Sequence, residues 1–371
     1  MKKNQYYLIA VTFIALVVCA FLAWPRPEAA VEVSKTIEPQ AVNKAPPRRL
    51  NLFIWSEYID PDVVAEFEKT HNVKIRIDLY ESNEEMISML KTGASGAYDL
   101  IVPSTYYLPS LINLNLIQPL NHSLLVNINN IDIKFRNLKE DPGNKYNIPY
   151  QWGISGLVAR SKDLQSLNNS WELLFKPSPT KGNFVIFDTA RDAIGSALRF
   201  LGYSSNTVNL SQIEQAGNLL IETKQNPTFL GFNGGVDGLS KVVGGVANIA
   251  QVYNGEAIKA TEEDPEIQFV IPKEGCEIWL DVFAIPVGAA NADVAHEFLN
   301  FILEPKIAAR LALWSSYATP NHRALEFIEP QQRDNPAIYP SSDLLSKMEF
   351  LEDLGTNGRL YEETWTIVKS R

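Results

Sequence analysis

Between Leu50 and Pro103 the chain alternates runs of strand length with runs of helical length, and this alternation restricts the fold more than any other feature of the sequence. Residues 50–55 form an apolar run ending in Trp55. Asp60-Pro61 then supplies a helix N-cap followed by proline at the first helical position, and the helix carries Val64 and Phe67 to about His71. Val73, Ile75, Ile77 and Leu79 alternate with polar residues, the period of a half-exposed strand. Asn83-Glu84-Glu85 opens a second helix through Met86, Ile87, Met89 and Leu90 that stops near Gly93, and residues 98–103 make a continuous apolar strand. Strand, helix, strand, helix, strand in this order demands a mostly parallel sheet flanked by helices.

A second set of such units follows. Residues 184–187 read as a buried strand, with a helix from Ala190 to about Leu201. Residues 247–252 and 278–285 read as further strands, and helical segments dominate from Ala292 onward. The 371 residues are enough for two cores. Ahead of them, Lys2-Lys3 precede an apolar run from Tyr6 to Trp24, so residues 1–24 read as a signal peptide or signal anchor. Residues 25–48, rich in Pro, Ala, Lys and Glu, read as a flexible tether.

Seven of the 33 basic and three of the 43 acidic side chains lie in residues 1–49, leaving the body with 26 against 40, a formal charge of −14. That balance argues against nucleic acid as a partner and is compatible with a cationic ligand. Cys19 and Cys276 are the only cysteines and the four histidines are scattered, so neither a metal site nor an internal disulfide is expected. Gly-x-Ser-x-Gly, the P-loop and Gly-x-Gly-x-x-Gly are all lacking, so no catalytic residues and no cofactor are expected.

In parallel α/β sheets ligands bind beyond the carboxyl ends of strands. Here those ends carry Trp55, Ser56 and Tyr58; Ser104, Tyr106 and Tyr107; Asp188, Thr189 and Asp192; Tyr253 and Glu256; and Trp279 with Asp281. Aromatic faces attract an ammonium and pack its methylenes, while carboxylates accept its N–H bonds. Each residue also has a plainer role to fill. Trp55 and Tyr107 suit core packing, Asp188 suits a helix cap, and Trp152, Trp171, Trp314 and Trp365 read as structural. Asp281 stands out as a carboxylate inside the apolar run 278–285, better suited to a ligand than to a structural ion pair.

Several landmarks in collinear order extend this pattern over the whole body. They are Trp55-Ser56-Glu57-Tyr58-Ile59, residues 98–107, Ile148-Pro149-Tyr150-Gln151-Trp152-Gly153, Tyr253-Asn254-Gly255-Glu256, Ile278-Trp279-Leu280-Asp281, Ala284-Ile285-Pro286 and Thr319-Pro320-Asn321. With them the chain resembles, from about Leu50 to Lys369, the spermidine/putrescine-binding proteins of bacterial polyamine ABC transporters. The resemblance implies a two-lobed periplasmic-binding-protein fold of type II with crossing hinge segments. Lobe 1 would comprise residues 50–154 and 282–325, and lobe 2 residues 155–281 and 326–371. It also places Trp55, Tyr58, Ser104, Tyr106, Asp192, Tyr253, Trp279, Asp281 and Tyr317 on ligand-contacting positions.

Departures from the family bear on the ligand. Spermidine-preferring members carry Trp at the position of Tyr253, a carboxylate at that of Thr189 and Gln at that of Leu351. Glu256 falls where putrescine-preferring members carry Asp, and Ser56 resembles them too. A short diamine is therefore expected over spermidine, with agmatine a further candidate. The resemblance implies a non-catalytic periplasmic monomer, free or tethered to the inner membrane, that serves an inner-membrane ABC permease. The rival readings are a binder of another solute on the same fold, a membrane-tethered polyamine sensor, and an extracytoplasmic hydrolase built on paired carboxylates.

Overall fold

The computed structural model describes residues 46–160, 169–176 and 182–371. The expected export signal and nearly all of the tether lie outside the described residues. Chain order begins β1 (Arg48–Trp55), α1 (Pro61–His71), β2 (Val73–Tyr80), α2 (Asn83–Lys91) and β3 (Leu100–Ile101). The helix ends are set locally. The Asp60 carboxylate accepts the Asp62 N–H at 2.8 Å, and Asn72 closes α1 with φ 50°. Ser82 accepts the Glu85 N–H at 3.1 Å while Glu85 reaches back to the Glu81 N–H at 3.0 Å, a reciprocal cap displaced by one residue at its return contact.

β3 is two residues long where the sequence predicts a strand over 98–103. The backbone beyond it is committed elsewhere: the Val102 carbonyl accepts both the Trp55 indole N–H and the Tyr80 hydroxyl, and Pro103 has no N–H to give. Before it, Asp99 uses its carboxylate on the Asn51 N–H and on Asn291.

The chain continues through β4 (Asn147–Arg160), β5 (Phe184–Phe187), α3 (Ala190–Phe200), α4 (Leu210–Lys224), β6 (Phe229–Asn233), α5 (Gly235–Val243), β7 (Ile249–Tyr253) and α6 (Asn254–Glu263). It ends with β8 (Ile267–Val270), β9 (Glu277–Ala284), α7 (Ala292–Ile302), α8 (Pro305–Ser315), β10 (Glu349–Phe350) and α9 (Gly358–Ser370). Strand order is β2-β1-β3-β9-β4-β7-β5-β6, with β10 on β9 and β8 on β4. The outer strands pair in parallel, as β1 with β2 and β3, and β5 with β6 and β7. The middle is antiparallel, through β3/β9, β9/β4, β4/β7 and β4/β8.

The two wings form two lobes because β4 changes partner along its length. Residues Asn147–Ile154 pair with β9, and from Ser155 onward the strand pairs with β7. β9 is buried throughout, and β4 is buried at every residue except Arg160. Phe67, Phe283 and Phe298 pack edge to face, while Phe184 and Ile186 of β5 and Leu198 of α3 are buried in the core.

Candidate functional site

Asp281 sits on β9 with 7% of its surface exposed. Its carboxylate accepts the Tyr58 hydroxyl at 3.0 Å and the Ser104 hydroxyl at 2.7 Å. Ser104 is itself positioned twice. It forms a bridge to Asp281 in the sheet, and buried Asn83 at the start of α2 donates to its Oγ at 3.2 Å and accepts its N–H at 3.1 Å. Both donors to Asp281 are neutral, so burial raises its carboxyl to about 7, against the smaller opposing pull of Ser104 and Tyr58.

Trp279 lies two residues earlier on the same face of β9. Its ring meets Tyr317 edge-on at 4.7 Å and Tyr253 at 5.8 Å, and stands 6.4 Å from Tyr58. Tyr58 also meets Tyr317 at 5.8 Å. Gly153 on β4 makes the space: a Cβ there would run into the Trp279 indole and the Asn254 side chain. Four aromatic rings from the turn after β1, β7, β9 and the segment after α8 thus form one cluster of ring contacts beside Asp281.

Asp192 is in the first turn of α3, 4% exposed. Its Oδ2 accepts Thr189 Oγ1 at 2.6 Å and the Tyr253 hydroxyl at 3.1 Å, while its buried Oδ1 has no partner among the described residues. Burial pushes the carboxyl up, against Thr189, Tyr253 and the charge of Arg191. Glu256, in the first turn of α6, is hydrogen-bonded by Tyr317, and its buried Oε2 likewise has no partner among the described residues. Burial raises it to about 7, with Tyr317 and Lys259 pulling the other way. Gly255 admits the Tyr317 ring, where any Cβ would collide.

Eight of the sequence-selected residues therefore connect through direct contacts: Tyr58, Ser104, Asp192, Tyr253, Glu256, Trp279, Asp281 and Tyr317. Tyr106 joins at the edge, where the Arg191 guanidinium stands 5.4 Å from its ring centroid. Trp55 and Ser56 are half-buried at the end of β1. The Trp55 indole donates to Val102 O at 2.9 Å and its ring packs on Tyr80 at 4.6 Å, so its packing role is real and its contact to the cluster runs through residues 102–104. Tyr107 is half-buried and hydrogen-bonds Glu84.

Asp188 departs from the expectation of a helix cap. Thr189 is the N-cap residue of α3, and Asp188 instead pairs with Lys369 of α9 at 2.6 Å. Sequence reasoning also passed over Asn83 and Gln151. Gln151 lies opposite Asp281 in the β4/β9 register, and its buried Oε1 has no partner among the described residues. Its place in the segment 148–153 was the available signal. Asn254, within the landmark 253–256, holds the Ile154 N–H at 3.0 Å and donates to Ala337 O at 2.7 Å. Among the described residues no group of His, Cys, Asp and Glu could hold a metal ion, and no helix is long and apolar enough to cross a membrane.

Two half-sheets joined by continuous strands, with carboxylates and rings gathered where those strands cross, define a two-lobed solute-binding protein. The chain belongs to the bacterial extracellular solute-binding protein family, whose model matches residues 62–340. It is 36% identical over 323 residues to the spermidine/putrescine-binding periplasmic protein of Escherichia coli (strain K12), covering 86% of this chain and 91% of that one. To the putrescine-binding periplasmic protein PotF of the same organism it is 32% identical over 342 residues, covering 87% and 92%. A solved structure, a putative spermidine/putrescine ABC transporter protein from Listeria monocytogenes, superposes with a TM-score of 0.81 at 32% identity, covering 87% of this chain and 99% of that one. The resemblance read from the sequence and the two-lobed fold are borne out.

Proposed function

We propose that this chain is a non-catalytic, extracytoplasmic polyamine-binding protein that presents its ligand to an ABC permease. The observation that carries this reading is Asp281: a buried carboxylate with neutral partners, walled by Trp279 and Tyr58 on the strands that cross between lobes. An alkylammonium supplies the missing charge and several N–H donors, and its methylenes pack on the rings. Asp192 and Glu256 lie beyond Trp279 and Tyr253, each with an oxygen free for a second ammonium. Trp55, Ser56, Ser104, Tyr106 and Tyr317 complete the ligand-binding set.

The hinge falls at 154/155 and 281/282, so that lobe 1 is 50–154 with 282–325 and lobe 2 is 155–281 with 326–371. The partner exchange along β4 supports this division. The protein acts as a monomer in the periplasm, delivered by its N-terminal segment and held at the inner membrane if that segment is retained. A short diamine is preferred over spermidine. The similarity to spermidine/putrescine- and putrescine-binding proteins supports the polyamine class.

Calorimetric titration of the purified protein with putrescine, spermidine, spermine, agmatine and neutral sugars tests the reading. Saturable binding of an amine without product formation is the expected result. Binding of a sugar alone, or turnover of any ligand, overturns it. Mass spectrometry of the mature N-terminus decides between release and tethering.

A further inference from the structure

Lys259 is the one cation that the site's own helix contributes to it, and nothing in the sequence drew attention to it. It stands three residues after Glu256 on α6, a spacing that puts the two side chains on one helix face. The Lys259 side chain is half-buried, and its ammonium has an aromatic seat. The ammonium lies 4.4 Å from the centroid of the Trp314 ring, on α8, a helix that packs with α1 and α7 around the other lobe's sheet. Trp314, read from the sequence as merely structural, thus seats a cation from the opposite lobe. Burial lowers the Lys259 ammonium, and the fields of Glu57 and Glu256 hold it up.

The other cation nearby is already engaged. Arg191 is sandwiched between the Tyr106 and Tyr361 rings, donates to Glu352 O and Asn206 Oδ1, and shares its field with Glu362. The site's carboxylates are Asp281, Asp192 and Glu256, and the Lys259 ammonium feels the last of them together with Glu57 at the turn after β1.

We propose that Lys259 is a specificity-determining residue: it serves as the site's resident ammonium, so that three carboxylates leave charge for two ligand ammonium groups rather than three. This rests on the polyamine reading and deepens it by assigning the preference for a diamine to one side chain. A triamine entering the site brings its third positive charge toward the ammonium on Trp314. A diamine places one charge at Asp281 and one at Asp192 and Glu256, and brings no third charge toward Lys259. The helix spacing and the Trp314 seat carry the inference, since they fix where the charge stands.

The test compares wild type, Lys259→Met and Lys259→Arg by titration with putrescine and spermidine at neutral pH, with melting temperature as a check on folding. Lys259→Met is expected to raise the ratio of spermidine to putrescine affinity about tenfold, the scale of one partly buried charge. Lys259→Arg keeps the charge and is expected to keep the wild-type ratio. An unchanged ratio in a folded Lys259→Met protein overturns the proposal, and so does an equal rise in Lys259→Arg, which would make the effect one of packing. Lys259→Gln replaces the Met variant if the latter does not fold. Wild type that binds neither amine removes the polyamine reading and this inference with it, a result distinct from wild-type binding with an unmoved ratio.

Discussion

The Tyr58 hydroxyl donates to Asp281 at 3.0 Å from the turn after β1, so a residue near the start of the fold helps position a carboxylate on the crossing strand β9. Ser104 holds the other oxygen. Hydroxyls can orient a carboxylate but cannot neutralise it. Asp281→Asn keeps the shape and removes the charge, which leaves a bound ammonium desolvated and unpaired. The expected loss of affinity is about 2–5 kcal/mol. The unliganded protein is expected to melt at the same temperature or higher. A sharp fall in its melting temperature with affinity intact would return Asp281 to a structural role.

The same burial fixes a pH dependence. Asp281, Glu256 and Glu277 are each raised to about 7. Between the ordinary carboxylate range and that value the folded chain holds protons that the unfolded chain has released. Stability is therefore present below the unfolded pKa and is lost as pH rises through the folded one. The unliganded protein is expected to melt lower at about pH 8 than at about pH 5, and saturating diamine is expected to flatten the slope by pairing Asp281 and Glu256. Scanning calorimetry across that range, with and without putrescine, checks both. A melting temperature that climbs with pH in the unliganded protein refutes the argument.

Local signals were legible in the sequence and long-range ones were not. Asp60-Pro61 announced the start of α1, and Asp281 declared itself as a carboxylate within an apolar strand. β4 did not announce itself, because Pro149 sits at a register shift while Gly153 and Gly156 replace side chains with room for Trp279 and Phe269. Asp188 read as a cap because its true partner, Lys369, lies in the last helix. The Lys259–Trp314 contact is equally non-local, and neither residue carries a motif. Seven of the eight connected site residues were readable because each stands just after a strand or within a landmark segment, whereas Tyr317, after α8, came only from the family resemblance.

Gly153 gives a test of the wall itself. Alanine there would press on the Trp279 indole and on Asn254, which holds the Ile154 N–H. Gly153→Ala is expected to cost about 1–3 kcal/mol of stability, the usual cost of overpacking, and to weaken amine binding by displacing the ring. Denaturant unfolding and titration measure the two losses, and tryptophan fluorescence reports the shift. A variant with wild-type stability and affinity would show that the ring does not need this space.

Glu277 separates burial from binding on a single strand. It precedes Trp279 by two residues and Asp281 by four, so all three lie on one face of β9. Glu277 is fully buried within the fold, where Ser155 donates to it at 2.6 Å and Ser205 at 2.8 Å, and Gly195 of α3 leaves room for its carboxylate. Its partners are hydroxyls from β4 and the loop after α3, and neither belongs to the ligand-binding set. Glu277→Gln keeps the volume and an acceptor while removing a charge that costs stability once it forms. The variant is expected to melt higher than wild type at about pH 8 and nearly the same at about pH 5, where Glu277 is already protonated. Its amine affinity is expected to stay within about twofold of wild type, in contrast to Asp281→Asn. Equal losses of binding in the two variants would place Glu277 in the ligand's charge balance and remove the distinction between the two carboxylates.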